Sequence, residues 1–337
     1  MRLSICAAAI ATTTLFLSSM ATPAYKPSSK SPSQIADEMR RKQKQKKLDT
    51  IDNKYFHEPG GDSTLGHYDR RYFHGVVSDE ERTDTQSHMI RAYLNFFHEN
   101  ELDTWIAHGT LLGWWWNGKR LPWDLDLDTQ VADATLHHLG DVHNQTRYAY
   151  NSSDGATQRE FLLDVNPWIW QRNRGDGLNV IDARWIDTRN GLFIDITGLS
   201  EIRPDTHPGV WSCKNYHMYQ TGELYPMRET MFEGVVAKVP YNYDKILVDE
   251  YKVGALVVTE FNGHMWNTTL KEWVKTQETL DQETKERMRK EVEERKQREE
   301  VERQRKAGEE RKKKEKEDRK KMDMEDKKKA LGEAKLE

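Results

Sequence analysis

The stretch Ile106–Val131, IAHGTLLGWWWNGKRLPWDLDLDTQV, decides the fold. A His-Gly-Thr turn, three tryptophans, a basic pair and Pro122-Trp123 precede three aspartates at alternate positions. In an extended strand, side chains at i, i+2 and i+4 share one face. Asp124, Asp126 and Asp128 then line one edge, with Leu125 and Leu127 pointing the opposite way into a core. Three like charges spaced roughly 6–7 Å apart repel one another. A divalent cation relieves that repulsion, and hard oxygen donors suit Mg²⁺ or Mn²⁺. A bare D-x-D is often only a solvated loop. Alternation with leucine, the Pro-Trp and the nearby Gly-Thr turn set this one apart.

Upstream, Thr104–Ala107 reads as a short strand leading into His108-Gly109-Thr110. Gly109 lets backbone approach a ligand closely, and Thr110 offers a hydroxyl. The amides that follow open a helix over Leu111–Trp116, a favourable place for phosphate. Asn117-Gly118 ends it. Lys119 and Arg120 then stand close enough to the aspartates to neutralise phosphate oxygens; a solvated turn is the rival reading. Trp114, Trp115, Trp116 and Trp123 are core for at least half their number, leaving one to stack on a base or sugar ring. Thr83–Glu99 is a helix capped by Asp84 or Thr85. Its stripe is Ile90, Tyr93, Leu94 and Phe97.

Downstream, Asp126–Val131 forms the acid-bearing strand, Ala132–Tyr148 a helix and Phe161–Val165 a strand. Val180–Asp187 and Gly191–Leu199 make a hairpin about Thr188-Arg189-Asn190-Gly191, because Asn-Gly is a strong short hairpin signal. Within its second strand Asp195 lies between two isoleucines. A charge buried there is costly unless paired. A shared metal would pair it, so Asp195 is the third-carboxylate candidate; an ion pair with Arg184 or Arg203 is the alternative. Asp182 and Asp187 are weaker candidates. Residues 204–223 are loop-rich, with Trp211, Cys213, Lys214 and His217, and nothing in the sequence fixes their role. Val235–Val239 is a strand and Tyr243–Tyr251 a helix; 261–273 closes the domain, with His264 unassigned. His57, His67 and His74 fit no common ligand spacing and read as surface or packing residues.

The ends of the 337-residue chain differ from its middle. Residues 1–24 carry a short positive start, an apolar run and small residues, as in a secretory signal cut near Ala21 or Ala24. An uncleaved anchor is the alternative, although the run is shorter than the ~20 residues a spanning helix prefers. Residues 25–50 form a flexible stem and 51–275 the globular body. From 276 to 337 the chain is a Lys/Glu/Arg-rich tail without apolar a and d positions. Opposite charges at i, i+4 support a lone helix there, with disorder the alternative. Net charge is only −4, so nothing points to nucleic-acid binding. One of two cysteines, Cys6, lies in the signal, leaving Cys213 as a buried free thiol. Sequons at Asn144, Asn151 and Asn267 fit luminal exposure.

HGTLLGWWWNGKRLPWDLDLD resembles the signature of the LicD/fukutin family, above all its fungal branch linked to mannosylphosphate transfer. LLDVNPW, NVIDARWIDTRNGLFIDITGL and FNGHMWN extend the likeness across about 84–273. The resemblance implies an α+β nucleotidyltransferase-like fold, a mixed sheet flanked by helices. It further implies a Gly-Ser/Thr turn at Gly109 and Thr110, a metal-binding pair at Asp126 and Asp128 assisted by Asp124, and a third carboxylate at Asp195. The expected activity is metal-dependent phosphotransfer in the secretory lumen, most naturally the Golgi. The donor would be of GDP-mannose or CDP-alcohol type, the acceptor a glycan hydroxyl and the cofactor Mg²⁺ or Mn²⁺. Two other readings stay open: a non-catalytic accessory protein that binds a transferase through its charged tail, and a D-x-D glycosyltransferase.

Overall fold

The computed structural model describes Ser31, Gln34 and residues 54–175 and 177–333. The expected signal and nearly all of the stem lie outside the described residues. The described chain forms two compact units, one up to Leu256 and one from Val257 onward.

The first unit is built on an eight-stranded mixed sheet with helices against it. Its strands are β1 (Trp105–Ile106), β2 (Asp128–Ala132), β3 (Thr146–Asn151), β4 (Gln158–Val165), β5 (Ala183–Asp187), β6 (Phe193–Glu201), β7 (Val210–Ser212) and β8 (Met218–Gln220). The main order is β1-β2-β6-β5-β4-β3, with β7 on β6 and β8 on β7. Only β2 and β6 pair in parallel, which sets Asp128 beside Asp195. The β5–β6 hairpin forms as its Asn-Gly turn predicts: Gly191 takes φ +86°, and Ile186 pairs with Phe193. A Cβ on Gly191 would stand 2.9 Å from the Asp69 carbonyl, so the turn also admits a crossing segment.

Helix α1 (Asp79–Glu99) starts earlier than its apolar stripe suggests. Ser78, not Asp84 or Thr85, caps it by accepting from the Glu81 amide, and three acidic residues fill the first turn. Acidic side chains there favour the positive end of the helix dipole. The stripe is buried as expected, with Tyr93 and Phe97 in an aromatic cluster with Trp185 and Phe161. Each such ring pair contributes about 0.5–1.5 kcal/mol beyond area burial.

Helix α2 (His108–Asn117) ends at Gly118, whose φ of 71° gives the left-handed cap. Ala132–Tyr148 is not one helix. Helix α3 (Asp133–His138) runs into a π turn at Leu139–His143 and stops, and Thr146–Asn151 becomes β3. Its alternating exposure fits an edge strand paired with β4, so sheet pairing overrides local helical pattern. Strand β2 starts at Asp128, so Asp124 and Asp126 sit on the approach loop rather than within a strand.

A short helix α4 (Thr221–Leu224), a β9 (Arg228–Phe232)–β10 (Val235–Val239) hairpin and α5 (Tyr243–Tyr251) complete the unit. The Trp run ties α2 to β9, to α5 and to the segment after α5. Indole nitrogens of Trp114, Trp115 and Trp116 donate to Thr230 Oγ1, Asp244 Oδ1 and the Ala255 carbonyl. Leu127 is buried as expected, while Leu125 is half-buried.

The second unit holds a three-stranded sheet, β11 (Glu260–Phe261), β12 (His264–Asn267) and β13 (Glu272–Lys275), and helix α6 (Gln277–Glu333). At 57 residues α6 is about 86 Å long. Ion pairs such as Glu294–Arg298 and Glu302–Lys306 lace it at i, i+4. No helix of the described residues is long and apolar enough to cross a membrane.

Candidate active site

The sheet gathers four carboxylates at the start of β2. Asp128 stands beside Asp195 on β6, and the Asp195 amide donates to the Leu127 carbonyl at 3.0 Å. The Asp128 amide donates to Thr110 Oγ1 at 2.9 Å, so Thr110 locks the acid loop onto α2. Thr110 is itself buried. Gly109 is required by contact rather than by φ: a Cβ there would sit 2.3 Å from Asp124 Oδ2.

Crowding shows in the proton affinities. Burial and the Asp126 charge push Asp124 up to about 8. Burial and the same charge push Asp128 up to about 8, against the pull of His108. Burial raises Asp195 too, although Arg184 opposes it. Asp126 goes the other way. Burial would raise it, but hydrogen bonds from His67 and Asp124 hold it below the usual carboxylate range. Near neutrality ionised Asp126 thus sits between two neighbours, Asp124 and Asp128, that hold their protons. A cation bound there would replace those protons, and the all-oxygen donor set fits Mg²⁺ or Mn²⁺.

Arg184, rather than Arg203, meets Asp195. Its Nε donates to Asp195 Oδ1 at 2.9 Å and its Nη2 to Glu58 Oε1 at 2.6 Å. The guanidinium packs 3.7 Å from the centre of the Phe193 ring. The structural ion pair weighed against a metal role is therefore present, and it leaves Asp195 Oδ2 for other partners. Asp182 and Asp187 are fully buried and bound elsewhere, to Arg172 and Lys214 and to Arg189.

The basic pair divides. Lys119 is exposed. Arg120 is 9% exposed; its amide donates to Glu233 Oε1 and its guanidinium to the Leu121 carbonyl. Sequence reasoning passed over His67. Its Nε2 lies 3.6 Å from Asp126 Oδ2, and the contact with that carboxylate makes the imidazole hold its proton more tightly. His57 and His74 are exposed, as expected. The segment carrying Glu58 and His67 is anchored by a Tyr68–Leu192 bridge and by the Asp69 amide on the Gly191 carbonyl. Its histidine spacing gave no signal, because the fold and not the local sequence brings His67 to Asp126.

His108, His217 and Glu250 also converge. His108 Nδ1 lies 2.6 Å from Glu250 Oε1, and the two imidazole centroids are 4.2 Å apart. Burial would lower His108, but Glu250, Asp128 and Asp126 raise it to about 9. Cys213 is a buried free thiol as expected, pushed up to about 11 by burial. Lys214 is equally buried, donating to the Trp168 and Asn179 carbonyls. Of the sequons, Asn144 and Asn151 are exposed, and Asn267 is half-buried in a turn where Oδ1 accepts from Thr269 and Leu270.

Two Saccharomyces cerevisiae proteins are similar to this chain. Mannosyltransferase regulator 14 is 39% identical over 158 residues, 44% of this chain and 17% of its own length. Mannosyltransferase regulator 4 is 35% identical over 157 residues, 44% of this chain and 13% of its own. The chain thus spans less than a fifth of either relative. Residues 101–242 match the family model described as LicD/FKTN/FKRP, nucleotidyltransferase domain. That span holds Gly109, Thr110, Lys119, Arg120, all four site aspartates, His108 and His217, and omits Glu58, His67 and Glu250. The mixed sheet flanked by helices is consistent with that match over residues 101–242.

Proposed function

We propose that this protein is a metal-dependent phosphotransferase of the secretory lumen, acting in the Golgi on protein glycans. It moves a phosphosugar, mannose phosphate from GDP-mannose or a similar nucleotide-activated donor, to a glycan hydroxyl. One observation carries the reading: Asp124, Asp126, Asp128 and Asp195 share one half-buried cluster in which three of them hold protons unusually tightly. Such crowding is costly without a cation. Held by these four carboxylates, Mg²⁺ or Mn²⁺ supplies charge neutralisation for a diphosphate.

The chain's own residues supply positioning, the main protein contribution to phosphoryl transfer. Thr110 fixes the Asp128 backbone, and Gly109 gives the Asp124 carboxylate its place. Arg184 holds Oδ1 of Asp195, so Oδ2 is the atom that can orient or deprotonate an acceptor hydroxyl. Lys119, which is exposed, would meet outer phosphate oxygens. As the acceptor oxygen bonds to the sugar-bearing phosphorus, the bond to the nucleoside monophosphate breaks.

The printed names of the two yeast relatives favour a second reading, a regulator of a separate mannosyltransferase. Charged helix α6 would then dock the partner. Nucleotide release separates the readings. The full chain is incubated with Mn²⁺, GDP-mannose and a mannan acceptor. GMP release that requires Asp126 and Asp128 supports phosphosugar transfer, whereas GDP release means sugar transfer and overturns it. No release, with stimulation of an added mannosyltransferase, establishes the regulator.

A further inference from the structure

Outside the aspartate cluster, three metal-ligand side chains meet from separate parts of the chain. His108 opens α2, His217 lies in the turn between β7 and β8, and Glu250 is on α5. One ligand atom from each lies within 4.8 Å of the others. Two imidazoles and a carboxylate are a donor set that zinc takes with a fourth position open. Nitrogen donors also separate this group from the all-oxygen cluster, which suits harder ions.

Each ring also has a further polar neighbour. Gln130 Nε2 lies 3.4 Å from His108 Nε2, and Gln130 is oriented by the Trp105 indole, which donates to its Oε1 at 3.0 Å. Cys213 Sγ lies 3.4 Å from His217 Nδ1. His108 has φ 52°, a left-handed backbone that costs a non-glycine residue about 1–3 kcal/mol and persists only where the surroundings demand it. A His108–Glu250 ion pair alone would account for two of the side chains. The second imidazole, centred 4.2 Å from the first, brings a third ligand-type atom to the same point.

We infer that His108, His217 and Glu250 form a zinc-class metal site separate from the aspartate cluster. It stands whether or not the protein transfers phosphate, because metal binding is read directly.

The test uses the full chain stripped of metal and titrated with Zn²⁺, with Mn²⁺, and with Co²⁺ as a spectroscopic probe. The expected result is one tight zinc equivalent. His217→Ala and Glu250→Gln each weaken zinc binding on the order of 100-fold and abolish the visible Co²⁺ bands of a tetrahedral site, while Mn²⁺ binding persists. His217→Gln replaces His217→Ala if the latter melts early. The inference is overturned if the chain binds no zinc, or if zinc binds the variants as tightly as the parent. It is equally overturned if zinc is lost from Asp126→Asn but not from the histidine variant, which would assign the ion to the aspartates.

Discussion

Arg184 and Asp195 face each other on neighbouring antiparallel strands, Nε to Oδ1 at 2.9 Å, with only 4% of the arginine side chain exposed. The same guanidinium neutralises Glu58. Removing it leaves Asp195 without its cation and Glu58 with Lys54 alone. Arg184→Met is expected to lower unfolding free energy by about 3–5 kcal/mol in urea titrations. Asp195→Asn in the same background should recover part of that loss. Arg184→Met melting with the parent would show the pair to be structurally idle.

Asp126→Asn and Asp128→Asn are expected to weaken Mn²⁺ binding by at least tenfold while leaving circular dichroism intact, since each removes a charge from a crowded site. Without metal, Asp128→Asn should be no less stable than the parent, whereas Asp126→Asn also loses the His67 contact. Calorimetric titration reads the first effect and thermal melting the second.

The pH profile follows from the raised carboxyls. Asp124 and Asp128 bind protons more tightly folded than unfolded, both near 8 in the folded chain. Between the ordinary carboxylate range and pH 8 the folded state therefore carries more protons, and stability falls as pH rises. Metal-free protein should lose thermal stability from this source between about pH 5 and 8. Saturating Mn²⁺ should flatten the slope, because metal takes the place of the protons. A metal-free melting temperature that stays level or rises with pH across this window in the parent would contradict the assignment.

Gly109→Ala should displace Asp124, whose Oδ2 stands 2.3 Å from the added carbon. Expected effects are weaker Mn²⁺ binding and a stability loss of about 1–3 kcal/mol. Gly222→Ala, which meets nothing within 4 Å, is the control and should leave both unchanged.

Much of the fold was legible because its signals are local. Asn190-Gly191 names its own turn, and Ile90, Tyr93, Leu94 and Phe97 mark the buried face of α1. The failures were non-local. Ala132–Tyr148 carries a helical pattern that pairing with β4 overrides past His143. The alternating aspartates and the charge among isoleucines are local signals, and the sheet sets Asp128 beside Asp195. His67, Glu58 and Glu250 were missed, since each reaches the centre from a segment whose sequence carries no trace of its destination.

The parallel pairing of β2 with β6 has a kinetic consequence. Asp128 and Asp195 belong to distant segments, and a parallel ladder between them closes only after the intervening strands have folded back. Contacts of such high sequence separation form late, because loop closure precedes their reward. Cation uptake at the aspartates should therefore coincide with the last step of refolding. A short peptide of the Ile106–Val131 stretch, though it carries three of the four acids, would hold no ion.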